Sequence, residues 1–195
     1  MPRDSEQTKT RILDAATEEF ARRGFAGARV DEIAAKSGSN KQLIYAYFDS
    51  KLGLFEAVIA HQLDPVLDAV PVTPADLPGY ASRLFDHSED HPELIRLSQW
   101  YFLEVDGNSP PPPAIVKSIQ DKVTAVEHAQ RAGDVASDIP APELLALILA
   151  ISYAWSTGPY SRGRKNKAEV ARRRRAVVAA VEKLTGSARG SRARR

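Results

Sequence analysis

Cysteine is absent from the 195-residue chain, and methionine occurs once. Without a thiol there is no disulfide framework, no thiolate nucleophile and no cysteine-ligated zinc. Long apolar runs are missing too. The longest, Leu144 to Trp155, falls short of the roughly 20 residues that a bilayer-spanning helix needs. Met1 to Thr10 is polar and lacks the apolar centre of a signal peptide, so a cytoplasmic location without membrane contact is expected. No segment alternates apolar and polar residues over a strand length, which leaves an all-α fold. A Gly-rich phosphate loop, a nucleophile elbow and a clustered acid–base pair are all lacking, which argues against an enzyme. The four histidines, His61, His87, His91 and His128, show no metal-ligand spacing, so neither a metal nor a cofactor is expected.

Charge is present, but unevenly. The net charge of +2 hides a balanced segment over 1–60, a segment of −9 over 61–160 and one of +11 over 161–195. The acidic middle and basic end can attract each other within a domain or a dimer, or the basic end can be a nucleic-acid footprint. The run Arg172-Arg173-Arg174-Arg175 sits in a helical pattern that turns its members to different faces. That favours solvated or intersubunit salt-bridging roles.

Apolar spacing predicts nine helices. The first is capped at Thr8 and stops at Gly24; the second covers Val30 to Lys36. Ser37-Gly38-Ser39 breaks the chain, and Asn40 caps a third helix, Lys41 to Phe48. A fourth runs from Lys51 to Val70, followed by a linker, Pro71 to Pro78. Further helices are expected over Pro78 to Ser88, Pro92 to Val105, Ala114 to Ala132, Pro142 to Thr157 and Asn166 to Leu184. Asp106 to Pro113 reads as a polyproline II loop. This divides the chain into a head, 1–50, a helical body, 51–186, and a disordered basic tail, 187–195.

The most informative stretch is Arg22 to Lys51. A short helix, a glycine turn and a second short helix make a helix-turn-helix. Ile44 and Phe48 can anchor the third helix inward, which turns Lys41, Gln42 and Tyr45 outward. Exposed aromatics suggest a contact surface, and Lys, Gln and Tyr suit phosphates and base edges. In the body, Phe85, His87, Trp100, His128 and Trp155 are the candidates for lining an apolar ligand cavity with few polar groups. The eighth helix is apolar all round and needs cover on several sides.

Here the chain resembles the TetR family of bacterial regulators. It has Ile12, Leu13, Ala15, Ala16, Phe20 and Gly24 in the pattern T-x-x-x-I-L-x-A-A-x-x-x-F-x-x-x-G. It has Val30, Ile33, Ala34, Gly38, Ile44, Tyr45, Phe48, Ser50 and Lys51 in V-x-x-I-A-x-x-A-G-V-S-x-x-x-L-Y-x-x-F-x-S-K. The resemblance implies a homodimeric repressor, released from a near-palindromic operator by a small, mainly apolar or aromatic effector. Position by position, it implies phosphate contacts for Tyr45, Tyr47 and Lys51. Lys41 and Gln42, next to Asn40, face bases or the adjacent backbone, and Leu43 touches a thymine methyl. It also implies a dimer seam on the last two helices, assigned to Leu147, Ile151, Val177 and Val181. Three departures stand out, one being Ala46 and Gln42 in place of the commoner bulky residue and Gly. Ala28 and Arg29 replace the usual hydroxyl residue before Val30, so Arg29 offers a charged backbone contact instead. Ser39 stands where an apolar residue usually packs the turn.

Overall fold

The computed structural model describes residues 2–104, 113–156 and 166–186. Among them are nine α-helices and no strand. They are α1 (Pro2–Gly27), α2 (Val30–Ser37), α3 (Lys41–Phe48), α4 (Lys51–Ala69), α5 (Leu77–Asp90), α6 (Pro92–Glu104), α7 (Pro113–Ala132), α8 (Ala141–Ser152) and α9 (Lys167–Thr185). A single 3-10 turn, Pro74–Asp76, leads into α5. The tail expected at 187–195 lies outside the described residues, as does the expected proline loop up to residue 112. No described helix is long and apolar enough to cross a membrane.

Two compact units emerge from the contacts. One joins Met1–Val66 to Glu93–Ala114, and the other joins Leu67–Pro92 to Ile115–Arg195. The division does not follow the boundary at residue 50 expected from the sequence. The reason is aromatic packing in the first unit. Phe55 of α4 lies 4.8 Å from Phe20 and 5.4 Å from Phe25 of α1, and 6.2 Å from Tyr101 of α6. Phe20, Leu54, Phe55 and Val58 are fully buried, so the head shares one hydrophobic core with α4 and α6.

Helix α1 begins at Pro2, not at Thr8. Proline suits a first turn, and neither glycine nor proline recurs before Gly24, so nothing stops the helix from extending. Thr8 lies inside it and accepts a hydrogen bond from Arg11 Nη2 at 3.2 Å. At Gly24 the backbone leaves the helical region, with φ 69° and ψ 177°. A Cβ there would stand 2.9 Å from the ring of Trp100. Conformation and space therefore both demand glycine.

Helix α2 starts without a side-chain cap at Arg29. Its entry is held instead by Glu19 of α1, only 5% exposed. The Glu19 carboxylate accepts from the Arg29 backbone N–H at 3.3 Å, from Arg22 at 2.5 Å and from Arg23 at 3.1 Å. Burial penalises the charge, but the Arg22 and Arg29 hydrogen bonds, with the Arg22 and Arg23 charges, outweigh it. They hold the carboxyl below its ordinary value of 4.5.

The second unit packs α5 against α8 and α9. Helix α5 buries Leu77, Tyr80, Ala81, Leu84 and Phe85, the spacing of one helical face. Helix α8 does the same with Ala141, Leu144, Leu145 and Ile148, and α9 contributes Val177 and Val181. Helix α8 stops at Ser152, short of the expected Thr157. The Ser152 hydroxyl bonds back to the Ile148 carbonyl at 2.8 Å, a contact that competes with the helix ladder. The basic run on α9 is partly matched within the chain. Arg173 pairs with Glu169, and Arg174 donates to both carboxylate oxygens of Asp86 at 2.9 Å.

Two outcomes follow for the first unit. Gly38→Ala is expected to cost about 1–2 kcal/mol, the penalty of a left-handed residue bearing a Cβ, because nothing lies within 4 Å of that Cβ. Gly24→Ala adds displacement of the Trp100 ring and should cost more in urea denaturation. It should also shift Trp100 fluorescence in a Trp155→Phe background. Equal losses for the two variants would show that Trp100 does not press on Gly24.

For Glu19 the folded state lowers the carboxyl pKa. Its stabilisation is therefore complete above the ordinary carboxylate value and is lost as pH falls through the lower folded value. Glu19→Gln should cost about 1–3 kcal/mol at pH 7. The gap between parent and variant should close as the pH is lowered from 5 toward 3 in thermal unfolding. A pH-independent gap would contradict the charge role.

Candidate nucleic-acid interface

The turn between α2 and α3 is built by local rules. Gly38 takes φ 64° and ψ 28°, the left-handed conformation that ends helices. The Ser39 N–H bonds to the Ala34 carbonyl at 3.0 Å, and the Gly38 N–H to that of Ala35 at 3.4 Å. These are the paired bonds of a Schellman motif. Asn40 Oδ1 then accepts from the Leu43 N–H at 2.8 Å and caps α3. Ser39 Oγ is buried in this turn without a hydrogen-bond partner. That is the penalty of a hydroxyl at an apolar position.

Helix α3 has one fully buried side chain, Ile44, with 0% exposure. Leu43, Tyr47 and Phe48 are half-buried, and Lys41, Gln42, Tyr45 and Ala46 are exposed. The outward face thus carries one cation, one amide and one phenol. Arg29 is exposed at the entry to α2. The helix ends at Asp49, whose φ of 60° is the single positive value among the described non-glycine residues. Ser50 N–H reaches back to the Phe48 carbonyl at 2.6 Å, a tight, strained three-residue turn. Ser50 Oγ accepts from the Gly53 N–H at 2.9 Å and starts α4.

Several candidates already hold partners within the chain. Lys41 pairs with Asp31 at 3.2 Å, an exposed bridge of little energetic worth that a phosphate can displace. Lys51 donates to the Ala26 carbonyl at 3.2 Å, and its ammonium lies 5.0 Å from the Phe25 ring. It therefore ties α4 to the end of α1. Tyr47 hydroxyl lies 3.1 Å from Ser5 Oγ, and Lys9 Nζ is 5.5 Å from the Tyr47 ring centre. Ser5 and Lys9 went unnoticed in the sequence because nothing local links the first turns of α1 to α3. Glu19 was missed for the same reason.

Of the body candidates, Phe85, His87, His128 and Trp155 belong to the second unit. Phe85 and Trp155 meet edge to face at 6.4 Å. His87 is half-buried, 4.6 Å from His91. His128 is exposed on α7, and Trp100 belongs to the first unit, against Gly24. Val177 and Val181 have no surface to offer a second copy. Both are 0% exposed, because α9 spends its valine stripe on the core shared with α5. Leu147 is 41% exposed and Ile151 is half-buried. Among the described residues no group of three or more potential ligands could hold a metal ion.

A family model described as bacterial regulatory proteins of the tetR family matches residues 12–58. A second, for the tetracyclin repressor-like C-terminal domain, matches residues 76–183. The HTH-type transcriptional repressor SCO4008 of Streptomyces coelicolor is 44% identical over 151 residues, which is 77% of this chain and 79% of that protein. Among solved structures, SCO4942 of Streptomyces coelicolor, assigned as a transcriptional regulator, superposes with a TM-score of 0.80 at 37% identity. That match covers 92% of this chain and 99% of the other. A protein from Mesorhizobium loti assigned to the same family reaches a TM-score of 0.63 at 25% identity, covering 93% and 98%. With the helix-turn-helix built as described and both parts of the chain matched, this protein belongs to the TetR family of DNA-binding transcriptional regulators.

Proposed function

We propose that the protein is a homodimeric, ligand-responsive repressor that binds a near-palindromic operator through α3. The observation that carries this reading is the orientation of α3. Ile44 is fully buried while Lys41, Gln42 and Tyr45 point outward from a glycine-turned helix-turn-helix. In a major groove such a face sets Gln42 and Lys41 toward base edges and Tyr45 toward the backbone. Leu43 is available to a thymine methyl. Arg29, Tyr47 and the amide nitrogen of Asn40 flank the same face and add backbone contacts. Lys51 contributes to phosphate binding from the start of α4, its contact to Ala26 notwithstanding. The protein acts by binding, not by catalysis, and it works where the DNA is, in the cytoplasm.

The second copy packs on the outward faces of α8 and α9. On α8, Glu143, Ala146, Leu147 and Ala150 are exposed, and on α9, Ala168, Ala171, Arg172, Ala176 and Ala179. Small side chains there allow close helix approach, with Leu147 as the large apolar anchor and Ile151 beside it. The effector is a small, mainly apolar or aromatic molecule held in the second unit near Phe85 and Trp155. It releases DNA by preferring the conformation with the weaker operator affinity.

Tyr45→Phe removes one hydroxyl and should weaken binding to all operator variants about equally, by roughly 1 kcal/mol. Gln42→Ala should relax preference at one position per half-site, by about 1–3 kcal/mol if the contact is bidentate. Titrations against an operator and its single-base variants at fixed salt separate the two. Parent-like binding by both variants would remove α3 from the recognition role. For the dimer, sedimentation at micromolar concentration should give twice the 21.3 kDa chain mass. Leu147→Glu should shift it to monomer with its helicity retained. A monomeric parent would end the two-fold operator model.

A further inference from the structure

We propose that the DNA-contacting surface extends onto the first turns of α1, with Lys9 binding a backbone phosphate and Ser5 orienting Tyr47 toward that same phosphate. This rests on the reading of α3 as the recognition helix.

The geometry joins residues 42 positions apart in sequence. Ser5 Oγ and Tyr47 hydroxyl lie 3.1 Å from each other. With Ser5 as donor, the phenol accepts at its oxygen and its own proton is left to point at an acceptor. A phosphate oxygen is that acceptor. Lys9 sits one turn further along the same face of α1, its ammonium 5.5 Å from the centre of the Tyr47 ring. A cation held at a ring face stays beside the phenol and cannot range freely. Its other contact is Glu6 Oε1 at 3.4 Å, an exposed pair whose attraction is weak. Exchanging Glu6 for a phosphate therefore costs little, and ammonium and phenol together grip the group. Such a contact reads no base. It fixes how α3 seats in the groove.

The test uses the full chain and a duplex that the protein itself selects from a random pool, with a scrambled duplex as comparison. Lys9→Gln should lower the slope of log affinity against log salt by about 2 for a dimer, one phosphate per subunit. Between 50 and 200 mM salt the parent should then lose about 10- to 20-fold more affinity than the variant. Base preference and thermal stability should stay at the parent values. Lys117→Gln removes the same charge from α7 and should leave the slope unchanged. Ser5→Ala should weaken binding severalfold in the parent but not in a Tyr47→Phe background, because it acts through Tyr47. An unchanged slope for Lys9→Gln, or equal effects of Ser5→Ala in both backgrounds, would overturn the proposal while leaving the regulator reading intact. A parent that did not prefer its selected duplex over the scrambled one would overturn both.

Discussion

The burial of Ile44 is the constraint on which the interface depends. Helix α3 is only two turns long and has no other fully buried side chain. Burying an isoleucine is worth about 1.5–3 kcal/mol, more than any exposed ion pair on that helix can supply. It therefore decides the helix's rotation. Once Ile44 points inward, the helical repeat turns Gln42 and Tyr45 away from the core, and Lys41 is exposed as the first residue of the helix. The left-handed turn at Gly38 and the Asn40 cap set where the helix begins. The strained corner at Asp49 sets where it ends.

The first three helices share their core with α4 and α6. Phe55 of α4 and Tyr101 of α6 complete the core that Phe20 and Phe25 of α1 begin. Trp100 closes against the kink at Gly24. Glu19 and Lys51, of opposite charge, reinforce the two sides of the junction between α1 and α2. Glu19 satisfies the backbone at the entry to α2, and Lys51 satisfies a carbonyl at the exit of α1. Each meets a backbone group that helix geometry leaves unpaired.

Charge segregation along the chain finds part of its explanation in the second unit. Asp86, from the acidic middle, receives Arg174 from the basic end. Arg173 is met by Glu169 one turn earlier. Attraction between segments of opposite net charge is thus realised within one chain for Asp86 and Arg174, while Arg173 and Glu169 pair inside the basic segment. Arg172 and Arg175 remain exposed, on a helix whose alanines are also uncovered.

By itself the sequence determined the features that arise within a few residues: the all-helical class, the α2 and α3 boundaries, the Gly38 turn, the Asn40 cap and the outward face of α3. Each depends on bonds between residues three to five apart or on the 3.6-residue repeat, so local pattern suffices. It misplaced the start of α1, because Thr8 can cap a helix but need not when the preceding residues are also helical. Only the tertiary structure decided which faces meet. Glu19 at Arg29, Lys51 at Ala26, Ser5 at Tyr47 and Trp100 at Gly24 join residues 10, 25, 42 and 76 positions apart. Val177 and Val181, a stripe equally suited to a second copy, turned inward because α5 offered an apolar face within the same chain. Periodicity shows that a face is apolar; it cannot say which of several apolar faces will cover it, since hydrophobic burial has no direction of its own.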